Sequence, residues 1–123
     1  MKVLLSIKPE FANEIFNGKK KYEFRRMIFK NPNINEVIIY ASSPVQKVVG
    51  EFKIEIIINK NLKELWAETK KHAGITEEYF LKYFEGKSKG YAIKVQDVVE
   101  YKKPFKLKEK FGLNPPQSFA YVS

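Results

Sequence analysis

Ten residues near the start of the chain, NGKKKYEFRR at 17–26, gather the side chains best suited to chemistry. Lys20, Glu23 and Arg25 lie within six positions of one another. A carboxylate can accept a hydrogen bond from the N–H groups of a nucleic-acid base, and lysine and arginine can donate to phosphate or carbonyl oxygens. A desolvated lysine can also act as a base. Together these residue types suit a polar, anionic ligand.

The same stretch holds both arginines of the chain, Arg25 and Arg26, side by side. Every other basic residue among the 23 Lys and Arg is a lysine. Arginine differs from lysine by its planar fork, which holds carboxylate or phosphate with two hydrogen bonds and stacks on flat rings. We therefore expect arginine here because geometry matters at these positions, whereas charge alone is sufficient elsewhere.

A helix must precede this motif and a tight turn must connect them. Pro9 suits the first residue of a helix, and Phe11 and Ile15 recur at helical spacing. Gly18 then provides the left-handed conformation that commonly ends a helix. Lys20 is consequently predicted at the mouth of the strand that follows.

Residues 20–26 alternate between apolar and charged side chains, which predicts a half-buried strand. Tyr22 and Phe24 fall on the buried face. Glu23 and Arg25 share the other face, about 7 Å apart along the strand. Opposite charges at this spacing either pair with each other in an ordinary surface network or each contact part of one polar ligand.

The net charge of +9 is concentrated at the two ends of the chain. Residues 1–30 and 101–123 carry the whole surplus of lysine and arginine, whereas acidic and basic residues cancel over 31–100. If the two ends lie together in the fold, they form one basic face suited to a polyanion such as RNA. Lysine enrichment of a thermophilic kind would explain the total charge, but not its segregation.

Composition excludes several classes of protein. The chain has no cysteine and one histidine, so we expect neither a disulfide framework nor a zinc site, and no metal or other cofactor. No apolar run approaches the ~20 residues that span a bilayer. The opening apolar stretch is too short for a signal peptide and precedes no small-residue cleavage site, so we expect a cytoplasmic protein without membrane contact.

The order of elements predicts a single α+β domain over residues 1–123. Strand patterns, two capped helices and a closing strand follow the first helix, with mostly local connections. We expect five or six strands in a small mixed, partly closed β-barrel with flanking helices. The predicted strands are 2–7, 20–26, 36–43, 48–59, 90–101 and a last short one in PPQSFAYV. Asn61 and Thr76 are the predicted caps of the two later helices.

The order strand, helix and then G-x-K-x-x-E-x-R, carried here by Gly18, Lys20, Glu23 and Arg25, resembles the ASCH domain family of the PUA-like group. The likeness extends over essentially the whole chain and is greatest to small stand-alone archaeal and phage-type members. The segments SIKPEFA, YASSP, VVGEF and PPQSF add to the likeness.

The resemblance implies a PUA-like barrel with a cleft beside the motif and a role in binding RNA or a nucleotide, in RNA metabolism or transcription-related regulation. It implies that Lys20, Glu23 and Arg25 line the cleft and that Gly18 permits the turn before it. Neighbouring aromatic rings could stack on an unpaired base.

Further polar residues are candidates for the same cleft. Each also suits an ordinary turn or cap. Lys8 precedes the first helix and could reach a phosphate. The other candidates are Tyr40, Ser42 and Ser43 after a predicted strand, and Gln117 and Ser118 in the closing segment.

The sequence leaves open whether the protein is an enzyme. Some small members of the family remove the acetyl group of N4-acetylcytidine with a lysine base and a threonine nucleophile. Lys20 matches the lysine, but Glu23 stands at the threonine position, and a carboxylate cannot replace a hydroxyl nucleophile.

The chain could instead be a ribonuclease with Lys20 and Glu23 as catalytic residues and Arg25 stabilising charge, or a protein-binding adaptor.

Overall fold

The computed structural model describes residues 1–122, which form six strands and four short α-helices. In chain order the elements are β1 (Lys2–Ile7), α1 (Pro9–Phe16), β2 (Tyr22–Arg25), β3 (Glu36–Ala41), β4 (Lys47–Asn61), α2 (Leu62–Thr69), α3 (Glu77–Tyr83), β5 (Lys89–Phe105), α4 (Leu107–Phe111) and β6 (Phe119–Val122). A 3₁₀ turn, Lys70–His72, extends α2.

The helix ends follow from local sequence signals. Pro9 is the first residue of α1, and Gly18 has a φ of +83° in the turn after it. The side chains of Asn61 and Thr76 accept hydrogen bonds from backbone N–H groups at the starts of α2 and α3. The predicted caps and the predicted turn glycine are therefore confirmed.

The six strands form one mixed sheet in the order β2-β5-β4-β3-β1-β6. Strands β1 and β3 run parallel, and each of the other neighbouring pairs among the described residues is antiparallel. The predicted α+β class and strand number are confirmed, but the sheet is not closed into a barrel. Its edge strands β2 and β6 have four residues each, and no ladder of hydrogen bonds joins them within residues 1–122.

Hydrophobic side chains pack on both faces of the sheet. One cluster lies beneath α1 and contains Val3, Leu5 and Ile15. A second lies beneath α2 and α3, where Phe24 and Phe80 are buried. Each fully buried side chain of this size contributes about 1.5–3 kcal/mol.

A third cluster lies on the opposite face of β1 and β3, because alternate residues of a strand point to opposite sides. Leu4 and Tyr40 pack there against Leu107 of α4.

Strands β1 and β6 pair, so the two basic ends of the chain are neighbours. The lysines of α4 nevertheless lie on the face of the sheet opposite α1. The surplus positive charge is therefore divided between two faces and does not form one basic face.

Over residues 1–122, no helix is both long and apolar enough to cross a membrane.

Candidate functional site

A cleft of about 520 Å³ opens between β2, α1, α3 and the segment that enters β6. Its volume lies in the range of small-molecule sites. Six of the residues proposed from the sequence line it: Lys8, Lys20, Glu23, Arg25, Gln117 and Ser118. The structure thus brings together side chains that are more than 100 positions apart in the chain.

The remaining proposed residues lie outside the cleft lining. Gly18, proposed with the other motif residues as part of the binding site, forms the turn before β2 and does not itself line the cleft. Tyr40 is buried in the third cluster beneath α4. Ser42 and Ser43 lie in the turn after β3, where the backbone N–H of Ser42 donates to the carbonyl of Ile7.

Lys20 lines the cleft although only 2% of it is solvent exposed. Its Nζ donates to the carbonyl of Ala73 at 2.8 Å. The same Nζ lies 4.8 Å from the ring centre of Phe24 and 5.2 Å from that of Phe11, within the range of cation–π attraction. Burial lowers the pKa of Lys20 from 10.5 to about 8, against smaller opposing effects of Glu23 and Glu14.

The turn between the 3₁₀ segment and α3 holds Lys20 in place. A Cβ atom at Gly74 would lie 2.6 Å from the Cβ of Lys20 and 2.7 Å from its Cγ. Gly74 also has a φ of +69°, which favours glycine. The absence of a side chain at Gly74 therefore lets this turn cover the stem of Lys20 and direct the Ala73 carbonyl at its ammonium group.

Glu23 and Arg25 form a buried ion pair, with an NH1–Oε2 distance of 3.2 Å. The Arg25 guanidinium also donates to the carbonyl of Ser6 at 3.3 Å. Its NH2 donates to both the carbonyl and the Oγ of Ser118, at 3.0 and 2.8 Å. Arg25 thus links the edge strand β2 to β1 and to the entry of β6, across the gap where the sheet is open.

The adjacent Arg26 points toward α3. Its NH1 donates to the carbonyls of Tyr83 and Glu85, both at 2.8 Å. Tyr83 in turn donates its hydroxyl to the carbonyl of Phe24 at 3.0 Å, and burial raises the pKa of that hydroxyl. The two neighbouring arginines therefore connect β2 to opposite walls of the cleft.

Aromatic rings form part of those walls. Phe11 and Tyr79 meet edge to face with 5.3 Å between their ring centres. Lys8 donates to the Tyr79 hydroxyl at 3.1 Å, and this hydrogen bond raises the pKa of Lys8. Tyr83 also lines the cleft. Flat apolar surface thus lies next to ammonium groups, as in sites that hold unpaired bases.

The sequence interpretation did not assign Phe11, Tyr79, Tyr83 or Lys87 to the cleft, although all four line it. Helical spacing places Tyr79 and Tyr83 on the same side of α3 as the buried Phe80, whereas the structure leaves both tyrosines incompletely buried. Helical periodicity cannot distinguish a face that packs on the core from one that borders a cleft. Arg26, which the sequence singled out by its place beside the only other arginine, also lines the cleft.

The chemistry of the cleft comes from one lysine with a lowered pKa, a carboxylate, guanidinium groups and tyrosine hydroxyls. No group of three His, Cys, Asp or Glu side chains that could hold a metal ion occurs in the part of the chain that the structure describes. The cleft residues can accept hydrogen bonds at Glu23, donate them at Lys20 and stack flat groups on Tyr79 or Tyr83. This combination is suited to a nucleotide.

The fold and cleft define a mixed α+β domain with a partly buried cationic site at the open side of its sheet. The family model described as ASCH domain matches residues 5–117, and the chain belongs to this family. The predicted resemblance to the ASCH domain family is confirmed.

Individual relatives resemble the chain over most of its length. A Zymomonas mobilis protein described as an ASCH domain-containing ribonuclease is 32% identical, over 97% of this chain and 82% of that protein. The crystal structure of ASCH from Zymomonas mobilis has a TM-score of 0.89 at 34% identity and covers 99% of this chain and 87% of the other. The chain is also 28% identical to a large ribosomal subunit protein uL22 of Ureaplasma parvum, of which it spans only 39%.

Proposed function

We propose that the protein binds single-stranded RNA, with one nucleotide seated in the cleft beside Lys20 and Glu23. The observation that carries this proposal is the burial of the Lys20 ammonium between two rings, with one hydrogen bond to the carbonyl of Ala73. Keeping a cation out of water opposes folding, and such groups concentrate at sites that use them on a ligand. The description of the Zymomonas mobilis relative as a ribonuclease supports RNA as the ligand.

The cleft offers a separate partner for each part of a nucleotide. The base stacks beside Tyr79 or Tyr83 and donates an N–H to the Glu23 carboxylate. Lys20 donates to a base carbonyl or a phosphate oxygen, and Lys8 reaches a phosphate at the rim. These contacts require a flat ring with an N–H donor and an anionic backbone, and each of the four RNA bases carries such a donor.

Arg25 has a supporting role in this proposal. Both of its terminal nitrogens already donate to Glu23, Ser6 or Ser118. A phosphate would have to displace buried protein partners to reach it. Arg25 therefore orients Glu23 and holds the walls of the cleft together, while Lys20 and Glu23 contact the ligand.

Binding is tested with a fluorescently labelled, single-stranded RNA of ten nucleotides, measured by anisotropy over a range of salt concentrations. We expect affinity to fall steeply with salt, because phosphate contacts release counterions, and Lys20→Gln to weaken binding at least tenfold. Lys63→Gln is the matched control, because it removes the same charge from an exposed site on α2. Equal loss in the two variants would show that only bulk charge matters and would contradict the cleft assignment.

Cleavage of the bound RNA is the second candidate function. Two observations favour it: the described activity of the Zymomonas mobilis relative and the lowered pKa of Lys20, about 8. In the proposed reaction, neutral Lys20 removes the proton of a ribose 2′-hydroxyl, and the oxygen attacks the adjacent phosphorus. The bond to the 5′ oxygen breaks, and that oxygen takes a proton from water. The products are a 2′,3′-cyclic phosphate and a 5′-hydroxyl end.

Gel analysis of RNA cleavage between pH 6 and 9, with EDTA present, tests this candidate. Because the base must be unprotonated, we expect the rate to rise about tenfold per pH unit up to about pH 8 and then level off. A strand with 2′-O-methyl groups should bind without being cut. An unchanged cleavage rate in Lys20→Gln would show that Lys20 is not the base of the reaction.

Deacetylation of N4-acetylcytidine and binding of a protein partner receive less support from the geometry. Glu23 pairs with Arg25 and supplies no hydroxyl nucleophile, so we favour RNA over N4-acetylcytidine as the substrate. A protein-binding adaptor has no evident use for a buried ammonium group beside aromatic rings. Binding of an acidic protein without any affinity for RNA would favour the adaptor instead.

A further inference from the structure

The two arginines of the chain differ in how many of their donors the protein uses. Arg25 is 9% exposed, and both of its terminal nitrogens donate to protein oxygens. Arg26 is partly exposed and donates to the protein through NH1 alone. Within residues 1–122, the NH2 and Nε groups of Arg26 have no hydrogen-bond acceptor. Arg26 lines the same cleft with these donors still free to bind a ligand.

An arginine anchored in this way is preorganised to bind an anion. Its hydrogen bonds to the carbonyls of Tyr83 and Glu85 fix the position of the guanidinium before a ligand arrives. Less conformational freedom is then lost on binding, and the remaining donors can form the paired hydrogen bonds that guanidinium makes with phosphate. The carbonyls at the end of α3, which would repel an anion, are occupied by NH1.

A second cation lies at the same end of the cleft. The backbone N–H of Lys87 donates to the carbonyl of Phe84, so the turn after α3 folds back beside the residues that anchor Arg26. Lys87 lines the cleft, and its side chain has no ion-pair partner in the described part of the chain. Glu85, the nearest acid in sequence, does not line the cleft.

We propose that Arg26 and Lys87 form a phosphate subsite at the α3 end of the cleft, which holds the RNA backbone next to the nucleotide at Lys20. This inference rests on the proposed RNA binding and assigns a role to two residues outside the G-x-K-x-x-E-x-R motif. Arg26 provides paired hydrogen bonds, and Lys87 adds positive charge at the same end of the cleft. Arg25, despite its place in the motif, makes no phosphate contact.

The test measures binding of a 2′-O-methylated, single-stranded RNA of ten nucleotides at several salt concentrations. Use of this strand separates binding from cleavage. We expect the slope of log affinity against log salt to fall by about 0.7 for each lost phosphate contact in Arg26→Gln and in Lys87→Gln. Arg26→Lys should keep most of the slope but bind about five- to tenfold more weakly, because lysine lacks the fork. Lys63→Gln should leave the slope unchanged.

Thermal unfolding of each variant separates a folding defect from a binding defect. The Lys87 side chain makes no hydrogen bond within residues 1–122, so Lys87→Gln tests the subsite even if Arg26→Gln unfolds. Wild-type slopes in both Lys87→Gln and Arg26→Lys, together with wild-type affinity, would overturn the subsite while leaving RNA binding intact. Absence of salt-dependent binding by the wild-type protein would overturn the proposed function and the subsite with it.

Discussion

At the scale of single residues, the site depends on a lysine that is charged at neutral pH and almost completely buried. One carbonyl and two rings replace the water around the Lys20 ammonium. These partners compensate only partly for the lost water, and the pKa of Lys20 is therefore lowered from 10.5 to about 8. Sequence reasoning selected Lys20 from its spacing to Glu23 and Arg25, but it could not predict the burial, because Ala73 and Phe11 come from other elements.

The stability of the protein should therefore depend on the ionisation of Lys20. The unfolded chain has a lysine pKa of 10.5 and the folded chain one of about 8. Between these pH values the unfolded chain binds more protons, so raising the pH favours the folded state. The charge costs up to about 3 kcal/mol at pH 7, and this cost disappears as the pH approaches 10.5.

Replacing Lys20 by methionine, which keeps most of the length of the side chain and removes the charge, tests this reasoning. We expect Lys20→Met to be at least as stable as the wild type at pH 7 and to lose that advantage by about pH 10. Urea unfolding of both proteins at pH 7, 8, 9 and 10 provides the comparison. A stability difference that does not change with pH would show that the ammonium group is well solvated in the folded state.

At the scale of elements, the segment between β4 and β5, which contains α2, the 3₁₀ turn and α3, forms one wall of the cleft and covers Lys20. Its capped helices could be predicted from Asn61 and Thr76, since caps are local signals. Its position over β2 could not, because it depends on Phe80 packing against Phe24 across the chain. The open sheet was unpredictable for the same reason. Strand patterns give the number of strands, whereas closure depends on which edges meet.

The turn at Gly74 should be essential for the position of Lys20. We expect Gly74→Ala to destabilise the fold by about 1–2 kcal/mol through its positive φ and, in addition, to displace Lys20 and weaken RNA binding. Gly112→Ala is the matched control, since Gly112 has a φ of +66° with open space around the missing Cβ. Equal RNA affinities in the two variants would show that contact with Gly74 does not position Lys20.

At the scale of the whole molecule, the chain carries two basic regions on different sides of the sheet. One surrounds the cleft, and the other surrounds α4, beside the cluster that contains Leu107. Charge counting along the sequence identified both ends of the chain as basic but could not separate the two faces. Net charge alone would therefore permit RNA to bind at either region.

The most direct test of the cleft as the RNA site is to locate bound RNA by NMR. Amide chemical shifts of the protein would be followed during titration with the 2′-O-methylated strand. We predict that the largest changes fall on residues 20–26, on Lys8 and on residues 79–87, and that Lys20→Gln reduces them. Changes concentrated on residues 106–111 of the α4 region, with the cleft unaffected, would contradict the claim that RNA binds in this cleft.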